Sequence, residues 1–143
     1  MTSQAPHPPS WTLEKIRAHI MEGLPMLSLF GVELIHADTD SAVIQLNAGP
    51  HITRPGGSVA GPVQFALADV AAYALILATV PDPHAVTVDL TIHFLRPALQ
   101  LPLLAKATPL RAGRRLFTAE IAIWAAAAPE RQLTHATTTY ALS

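Results

Sequence analysis

The sequence predicts an α+β fold in which an antiparallel sheet wraps around one long central helix. The helix is predicted for residues 62–80, which are apolar on every side and therefore need cover on most sides. Four strand-like segments follow the helix through short connections, and this order favours antiparallel pairing. At 143 residues the chain is long enough for one domain with a substantial core.

The N-terminal part is predicted to contain a tail and a short helix. Residues 1–10 are rich in Pro and Ser and are predicted to be a disordered tail, which leaves 11–143 as a single domain. In "SWTLEKIRAHIMEGL", Ser10 or Thr12 is the predicted N-cap, and the glycine and proline near its end stop the helix.

Two strands and the long helix come next. The first strand begins at Gly31 and ends near Asp38, and a "DTDS" hairpin turn connects it to a second strand, "SAVIQLNA". Gly61 is the predicted N-cap of the long helix, and Pro62 suits the first helical position, where an N–H would have no intrahelical partner. Two prolines just beyond residue 80 are predicted to end this helix.

The second half of the sequence is predicted to be strands alone. "AVTVDLTIHFLRPA" alternates strictly, so its polar and apolar residues are predicted to occupy opposite faces. The apolar face is Val86, Val88, Leu90, Ile92 and Phe94, and the polar face is Thr87, Asp89, Thr91 and His93. Two further strands pair around "RAGRR", and "RQLTHATTTYAL" is the last strand.

Composition narrows the class of protein. Half of the residues are hydrophobic and 13% are charged, which predicts that apolar surface is covered by copies of the same chain. The net charge of -1 argues against nucleic-acid binding, and no cysteine is present for disulfide or thiolate chemistry. The N-terminus does not resemble a signal peptide, and the apolar run 70–80 is too short to span a bilayer. We therefore expect a cytoplasmic oligomer with no membrane partner.

One acidic residue, Asp69, stands alone in the apolar helix. It lies two turns from the helix start, beyond the reach of capping and of the helix dipole. No Lys, Arg or His occurs between Arg54 and His84, so the helix offers no ion-pair partner. Two interpretations follow: Asp69 shares a narrow solvent-facing stripe with Tyr73, or it faces a cleft between subunits as a general base or nucleophile.

The glycine-rich turn before this helix fits the second interpretation. Such a turn directs free backbone N–H groups at one point, where they can stabilise an oxyanion or polarise a carbonyl. The seven histidines show no spacing typical of metal ligands, so no metal site and no cofactor are predicted.

"GGSVAGPVQFALADVAAYAL" followed by "AVTVDLTIHFLRPA" resembles the hotdog-fold acyl-CoA thioesterases of the phenylacetate-degradation (PaaI-like) type. The resemblance covers about residues 27–142 and implies the fold predicted above, an acyl-CoA substrate and a homodimer or dimer of dimers. It implies that Asp69 is the catalytic acid and that the Gly61 N–H polarises the thioester carbonyl. Gly57 matches a loop glycine, and Thr87 matches a Ser/Thr that holds the attacking water and comes from the other subunit. Since strict alternation puts Thr87 on the face away from the helix, it reaches the site only if the strand begins at a dimer seam or contains a local bulge.

Three positions depart from the family pattern. Ala60 replaces a histidine, Pro62 replaces a second glycine, and Arg54 replaces an asparagine. Arg54 is a candidate ion-pair partner of Asp69, which would hold the acid ionised and lower its basicity.

Further candidate substrate-binding residues follow from the implied ligand. Gln64, Phe65 and Tyr73 are candidates for the acyl pocket. Arg96 and Arg114 belong to a basic cluster that either protects sheet edges or contacts the phosphates of CoA.

The sequence therefore predicts an acyl-CoA thioesterase. The first alternative is a non-catalytic acyl-CoA-binding protein, as Ala60 and Arg54 suggest. The second is a hydratase or dehydratase of the same fold, which requires an Asp/His pair near the helix start and for which His51 is the nearest histidine before it.

Overall fold

The computed structural model describes residues 11–80 and 82–143, which form two α-helices, a short 3₁₀ helix and one six-stranded sheet. The predicted tail, residues 1–10, lies outside the described residues. The helices are α1 (Leu13–Gly23), the 3₁₀ helix (Pro25–Leu29) and α2 (Gly61–Thr79). The strands are β1 (Val32–Ala37), β2 (Ala42–Leu46), β3 (Val86–Phe94), β4 (Leu103–Ala112), β5 (Leu116–Ala125) and β6 (Gln132–Ala141).

The sheet is antiparallel throughout, with the strand order β1-β2-β4-β5-β6-β3. Helix α2 packs across β2, β4 and β5 and supplies much of the core, so the predicted α+β fold is confirmed. The sequence order suggests that β3 lies beside β4, but β3 pairs with β6 and forms one edge of the sheet. Residues 95–102 therefore carry the chain from that edge back to the middle of the sheet.

The predicted boundaries at the helix starts are partly correct. Thr12 caps α1, since its Oγ1 accepts a hydrogen bond from the N–H of Lys15 at 3.1 Å. The N-cap of α2 is Ala60 rather than Gly61, and Gly61 is the first helical residue. An alanine suffices there because the extended backbone and the carbonyl of residue 60, and not its side chain, begin the helix.

The predicted "DTDS" turn connects β1 to β2 and is held by its first residue. The carboxylate of Asp38 accepts hydrogen bonds from the backbone N–H groups of Asp40 and Ser41 at 2.8 and 2.9 Å. The hydrogen bond from Ser41, and then that from Asp40, lowers the pKa of Asp38 from its ordinary value.

The strict alternation predicted for β3 is wrong at its first residues. Thr87 is opposite Tyr140 and Asp89 is opposite the preceding residue of β6, so Val88 is an extra residue in a β-bulge. The bulge places Thr87 on the same face as the buried Tyr140, and it leaves Val86 and Val88 about 60% exposed. From Leu90 onward the predicted alternation is confirmed, because the helix-facing positions lie opposite buried residues of β6.

Helix α2 is long and apolar enough to cross a membrane by length and composition, although the apolar run 70–80 alone is too short. Two-thirds of the relevant stretch is buried inside the fold. Within the described residues, the apolar character of this helix is accounted for by its place in the core.

Candidate active site

Asp69 lies on α2, and two hydroxyl groups bind one oxygen of its carboxylate. The Oγ1 of Thr87 donates to Oδ1 at 2.8 Å, and the hydroxyl of Tyr140 donates to the same oxygen at 2.6 Å. No donor among the described residues reaches Oδ2. Every buried side-chain oxygen or nitrogen in the described residues has a hydrogen-bond partner. Because Oδ2 has none, it is not buried and is accessible to solvent. The carboxylate therefore has one restrained oxygen and one that is free to react.

This arrangement depends on β3 and β6. The bulge at Val88 brings Thr87 to the helix side of the sheet, which strict alternation would forbid. Thr87 contacts Asp69 of its own chain, whereas the resemblance implied a threonine from the other subunit. The physical reason is that β3 begins directly beside α2, so the two side chains meet within one protomer.

Tyr140 is held as a neutral donor. Burial is the largest cause that raises the pKa of its phenol, and the negative charge of Asp69 and the hydrogen bond to it raise the pKa further. The hydroxyl of Tyr140 therefore keeps its proton at any pH at which proteins are commonly assayed, and it donates to the carboxylate throughout that range.

Asp69 faces a cleft of about 400 Å³ between α1, α2 and the start of β3. His19 on α1 lines the cleft together with Tyr73 and Pro83. The hydroxyl of Tyr73 donates to the carbonyl of Pro83 at 3.0 Å and lies 2.9 Å from Nε2 of His19. A phenol has one proton, so Nε2 of His19 is the donor in the second contact. The structure thus favours the interpretation in which Asp69 faces a cleft, and Tyr73 belongs to that cleft.

A second cleft, of about 360 Å³, lies at the N-terminus of α2. Pro62 has no N–H, and the N–H groups of Val63 and Gln64 both donate to the carbonyl of Ala60. The N–H of Gly61 has no partner among the described residues, so it is the free donor at this helix end. The phenyl ring of Phe94 lies so close that a Cβ on Gly61 would be 3.3 Å from its Cζ.

Polar side chains also line this second cleft. Arg54, Ser58 and Arg96 share it with Gly61. Ser58 is about nine-tenths buried as a residue, but its hydroxyl, which has no hydrogen-bond partner among the described residues, is accessible to solvent. One guanidinium nitrogen of Arg96 donates to the carbonyl of Gln132 at 2.6 Å. This cleft combines a free backbone N–H with two cationic side chains, and it can bind a carbonyl oxygen or an anion.

The glycine-rich turn shapes the wall of the second cleft. The N–H of Arg54 donates to the carbonyl of Ser58, and the N–H of Gly57 donates to the carbonyl of Arg54, both at 2.9 Å. Gly56 and Gly57 have φ values of 100° and 91°, a left-handed conformation that favours glycine. Gly57 therefore shapes the turn, but it lines neither cleft.

The expected ion pair between Arg54 and Asp69 does not form within the described chain. The two residues line different clefts, which have no lining residue in common. The reason is their separation along α2, since Arg54 lies beyond the N-terminus of the helix and Asp69 lies more than two turns inside it.

Gln64 and Phe65 do not line the Asp69 cleft. Gln64 is 3% exposed, and its amide is used within the fold: Nε2 donates to the carbonyl of Val59, and Oε1 accepts from Thr134. Phe65 is 42% exposed and lines an apolar depression of about 440 Å³ with Phe94. Among the three residues predicted for the acyl pocket, Tyr73 alone is beside the acid.

Arg114 lines neither of the two main clefts. It lies in the turn between β4 and β5, where it lines a cleft of about 250 Å³ with Arg111 and Arg115. His51 lies in the loop before the glycine-rich turn and lines neither main cleft. In the described parts of the chain, no three His, Asp or Glu side chains are close enough together to hold a metal ion.

The sequence does not indicate that two further residues, His19 and Tyr140, line the Asp69 cleft. His19 lies on α1, far from the motif in sequence, and nothing in its neighbourhood distinguishes it. Tyr140 had a weak signal, because it follows Thr134, Ala136 and Thr138 on the inward face of β6 and is the only large polar side chain in that series.

Comparisons with known proteins agree with this fold. A model of the thioesterase superfamily matches residues 56–129, about half of the chain. A structure from Silicibacter sp. TM1040, with a provisional assignment as a thioesterase, is 30% identical; the match covers 91% of this chain and 90% of that one, with a TM-score of 0.81.

More distant structures share the same fold. Zebrafish thioesterase superfamily member 2 is 22% identical, with coverage of 94% and 100% and a TM-score of 0.81. A thioesterase from Haemophilus influenzae is 20% identical, with coverage of 94% and 92% and a TM-score of 0.80. No curated protein matched the chain. The family model and the 30% identical structure together show that this chain belongs to the thioesterase superfamily and has its hotdog fold.

Proposed function

We propose that this protein hydrolyses the thioester bond of acyl-CoA and that Asp69 is its general base or nucleophile. The observation that carries the proposal is the Asp69 carboxylate, with Oδ1 bound by two hydroxyl groups and Oδ2 open to a cleft of about 400 Å³. Membership of the thioesterase superfamily supports the reaction class. The motif around Asp69 supports the finer assignment to the phenylacetate-degradation (PaaI-like) type.

The reaction needs a nucleophile and a donor for the developing oxyanion. As general base, Oδ2 takes a proton from water while the water oxygen attacks the thioester carbon; the C–S bond then breaks, and the products are a carboxylic acid and CoA thiol. As nucleophile, Oδ2 attacks the same carbon, the C–S bond breaks and CoA leaves as a thiolate that takes up a proton; water then hydrolyses the resulting anhydride, which releases the carboxylic acid and restores the Asp69 carboxylate. The donor we propose for the oxyanion is the free N–H of Gly61.

These two groups cannot act on one thioester within one chain. Gly61 and Asp69 are eight residues apart on α2, which places them about 12 Å apart along the helix axis. They also lie in different clefts. A carbonyl group is far shorter than this separation, so a complete site requires the Gly61 cleft of one copy and the Asp69 cleft of another.

The edge strand β3 offers a way to bring the two clefts together. One end of β3 lies at the Asp69 cleft through Thr87, and the other end lies against Gly61 through Phe94. If β3 pairs with the β3 of a second copy in antiparallel fashion, the start of each strand lies beside the end of the other. Each Asp69 cleft then lies beside the Gly61 cleft of the partner, and the dimer has two equivalent sites.

The surface of β3 supports this homodimer. No strand in the described chain pairs with its outer edge, and Val86, Val88 and Phe94 are each more than half exposed. Phe65 on α2 adds apolar surface beside them. A long, apolar, unpaired edge invites pairing with another chain.

The second cleft supports a role in binding the carbonyl and CoA. Arg54 replaces the neutral asparagine of the family pattern, so a guanidinium lies in the cleft of the proposed oxyanion donor. Arg96 lines the same cleft and is the better candidate for a CoA phosphate, whereas Arg114 lies in a separate cleft. The hydroxyl of Ser58, which has no partner among the residues that the structure describes, adds a further group for ligand recognition.

A non-catalytic acyl-CoA-binding protein is the second candidate. Ala60 favours it, because this residue replaces a histidine of the family pattern and offers no group to position or polarise a substrate. For the hydratase hypothesis, His51 does not line the Asp69 cleft; the histidine that does is His19, which lies on α1 and not near the start of α2.

Thiol release from short, long and aromatic acyl-CoAs tests these candidates. Wild type should turn over at least one class, and Asp69→Asn should bind it with little loss while hydrolysing it much more slowly. Turnover by the variant equal to wild type would remove Asp69 from the mechanism. Binding of CoA esters with no hydrolysis of any of them by wild type would favour the non-catalytic protein.

A further inference from the structure

The hydroxyl of Tyr140 makes the shortest contact to the Asp69 carboxylate, 2.6 Å compared with 2.8 Å for Thr87. It also lies 3.0 Å from the main-chain carbonyl oxygen of Asp69. A phenol donates one proton, and the shorter contact to the charged oxygen is the stronger of its two bonds. Tyr140 is 4% exposed, so this hydrogen bond is shielded from water.

The fold fixes the ring of Tyr140 independently of Asp69. The residue pairs with Phe117 on one side and with Thr87 on the other, and its ring stacks on that of Tyr73 with centroids 6.1 Å apart and planes inclined by 12°. The hydroxyl of Tyr73 is in turn tied to the carbonyl of Pro83. The donor is therefore in place before any substrate binds, as a preorganised site requires.

We propose that Tyr140 is a positioning residue, which together with Thr87 restrains Oδ1 of Asp69 so that Oδ2 is the oxygen that reacts. This inference rests on the proposed function, because it assigns a reacting atom within that site. Two donors on one oxygen oppose rotation of the carboxylate and keep Oδ2 on the side of the cleft. Tyr140 does not need to touch the substrate for this role.

The variant Tyr140→Phe keeps the ring and its stacking and removes the hydroxyl. We expect kcat to fall about 10- to 100-fold, the loss of one hydrogen bond to a charged group, with little change in KM. We also expect the acid limb of the pH–rate profile to differ from that of wild type, because the reacting carboxylate loses a donor. A purely structural role would not move that limb.

Tyr73→Phe is the matched control, since it deletes the same hydroxyl from the adjacent ring without touching the carboxylate. Its acid limb should stay at the wild-type position, whatever happens to KM. His19 also lines the cleft, and His19→Gln identifies any part of the profile that belongs to it.

A measurement that needs no activity covers the case in which Tyr140→Phe folds poorly. The chain has two tyrosines, so 3-fluorotyrosine incorporated into the Tyr73→Phe variant labels Tyr140 alone. We expect its ¹⁹F resonance to follow protonation of the neighbouring carboxylate, with the same midpoint as the acid limb of kcat. A resonance that does not respond to acid while the protein stays folded would overturn the inference.

The outcomes separate this inference from the proposed function. Wild-type kcat and an unmoved acid limb in Tyr140→Phe, together with an inactive Asp69→Asn, overturn the role of Tyr140 and leave the proposed function standing. An Asp69→Asn variant as active as wild type overturns the proposed function itself. A reduced kcat and a displaced limb in Tyr140→Phe, with an unmoved limb in Tyr73→Phe, support both.

Discussion

Mixed dimers of two inactive variants test whether the site is shared between copies. The perturbations are Asp69→Asn, which removes the acid, and Gly61→Val, which fills the space beside the free N–H. A Cβ on residue 61 would already lie 3.3 Å from the ring of Phe94, so the two further carbons of valine have to occupy the cleft or displace the ring. Each variant alone should lose both sites of its homodimer.

The expected recovery follows from the geometry. If each site takes its N–H from one copy and its acid from the other, a mixed dimer has one site with both changes and one wild-type site. When the variants are produced together in equal amounts, half of the dimers are mixed, and about a quarter of the wild-type activity should return. Dimers purified with two different tags should show about half of it.

The assay is thiol release from the best acyl-CoA, with the dimer fraction checked by size-exclusion chromatography. A mixture of Asp69→Asn and Thr87→Val is the matched control, because both changes lie on the same half of the proposed site and should not complement. If Gly61→Val and Asp69→Asn together give no more activity than the two homodimers, the reasoning from the 12 Å separation on α2 is refuted.

Three further predictions concern single residues. Thr87→Val should lower kcat about 10-fold by removing a donor to the carboxylate, whereas Thr87→Ser should retain most activity; equal rates for the two variants would contradict the role of the hydroxyl. Thr134→Val should lower the free energy of unfolding in urea by about 1–3 kcal/mol, because it leaves the buried Oε1 of Gln64 without its donor. The double variant Thr134→Val/Gln64→Leu should recover part of this loss. Hydrogen bonds lower the pKa of Asp38 in the folded chain, so its carboxylate stabilises the fold above the pKa of the unfolded state, and this stabilisation is lost as the pH falls. The difference in unfolding free energy between wild type and Asp38→Asn should therefore shrink below about pH 4. A difference that stays constant with pH would contradict the effect.

The sequence predicts most of the fold because its signals are local. The helix that is apolar on all sides, the strands and the turn residues are each encoded by neighbouring positions, and the structure contains them, apart from the strict alternation at the start of β3. The place of β3 beside β6 depends on pairing between distant segments, which no local pattern encodes. A bulge in β3 is one of the two arrangements that let Thr87 reach the site, but its position at Val88 is not predictable, because valine and threonine both suit a regular strand.

The residues of the candidate site are likewise only partly predictable from the sequence. Asp69 is recognisable from the sequence because an unpaired carboxylate is costly to place in an apolar helix, and Gly61 is recognisable from the glycine-rich turn that precedes it. Tyr140 is not, since a buried tyrosine at the end of a strand is common in protein cores, and its partner lies 71 positions away. The pairing of Arg54 with Asp69 does not form within the described chain, because charge alone says nothing about distance along a helix.

The central claim is that Asp69 activates water or attacks the thioester directly, and the most direct test is the turnover of the best acyl-CoA by wild type and by Asp69→Asn. The two proteins should have the same dimer fraction and the same unfolding midpoint in urea, so that only the carboxylate differs. We predict that kcat falls at least about 100-fold in the variant, the usual contribution of a general base, while the affinity for the acyl-CoA stays close to that of wild type. A kcat within a few-fold of wild type would contradict the claim.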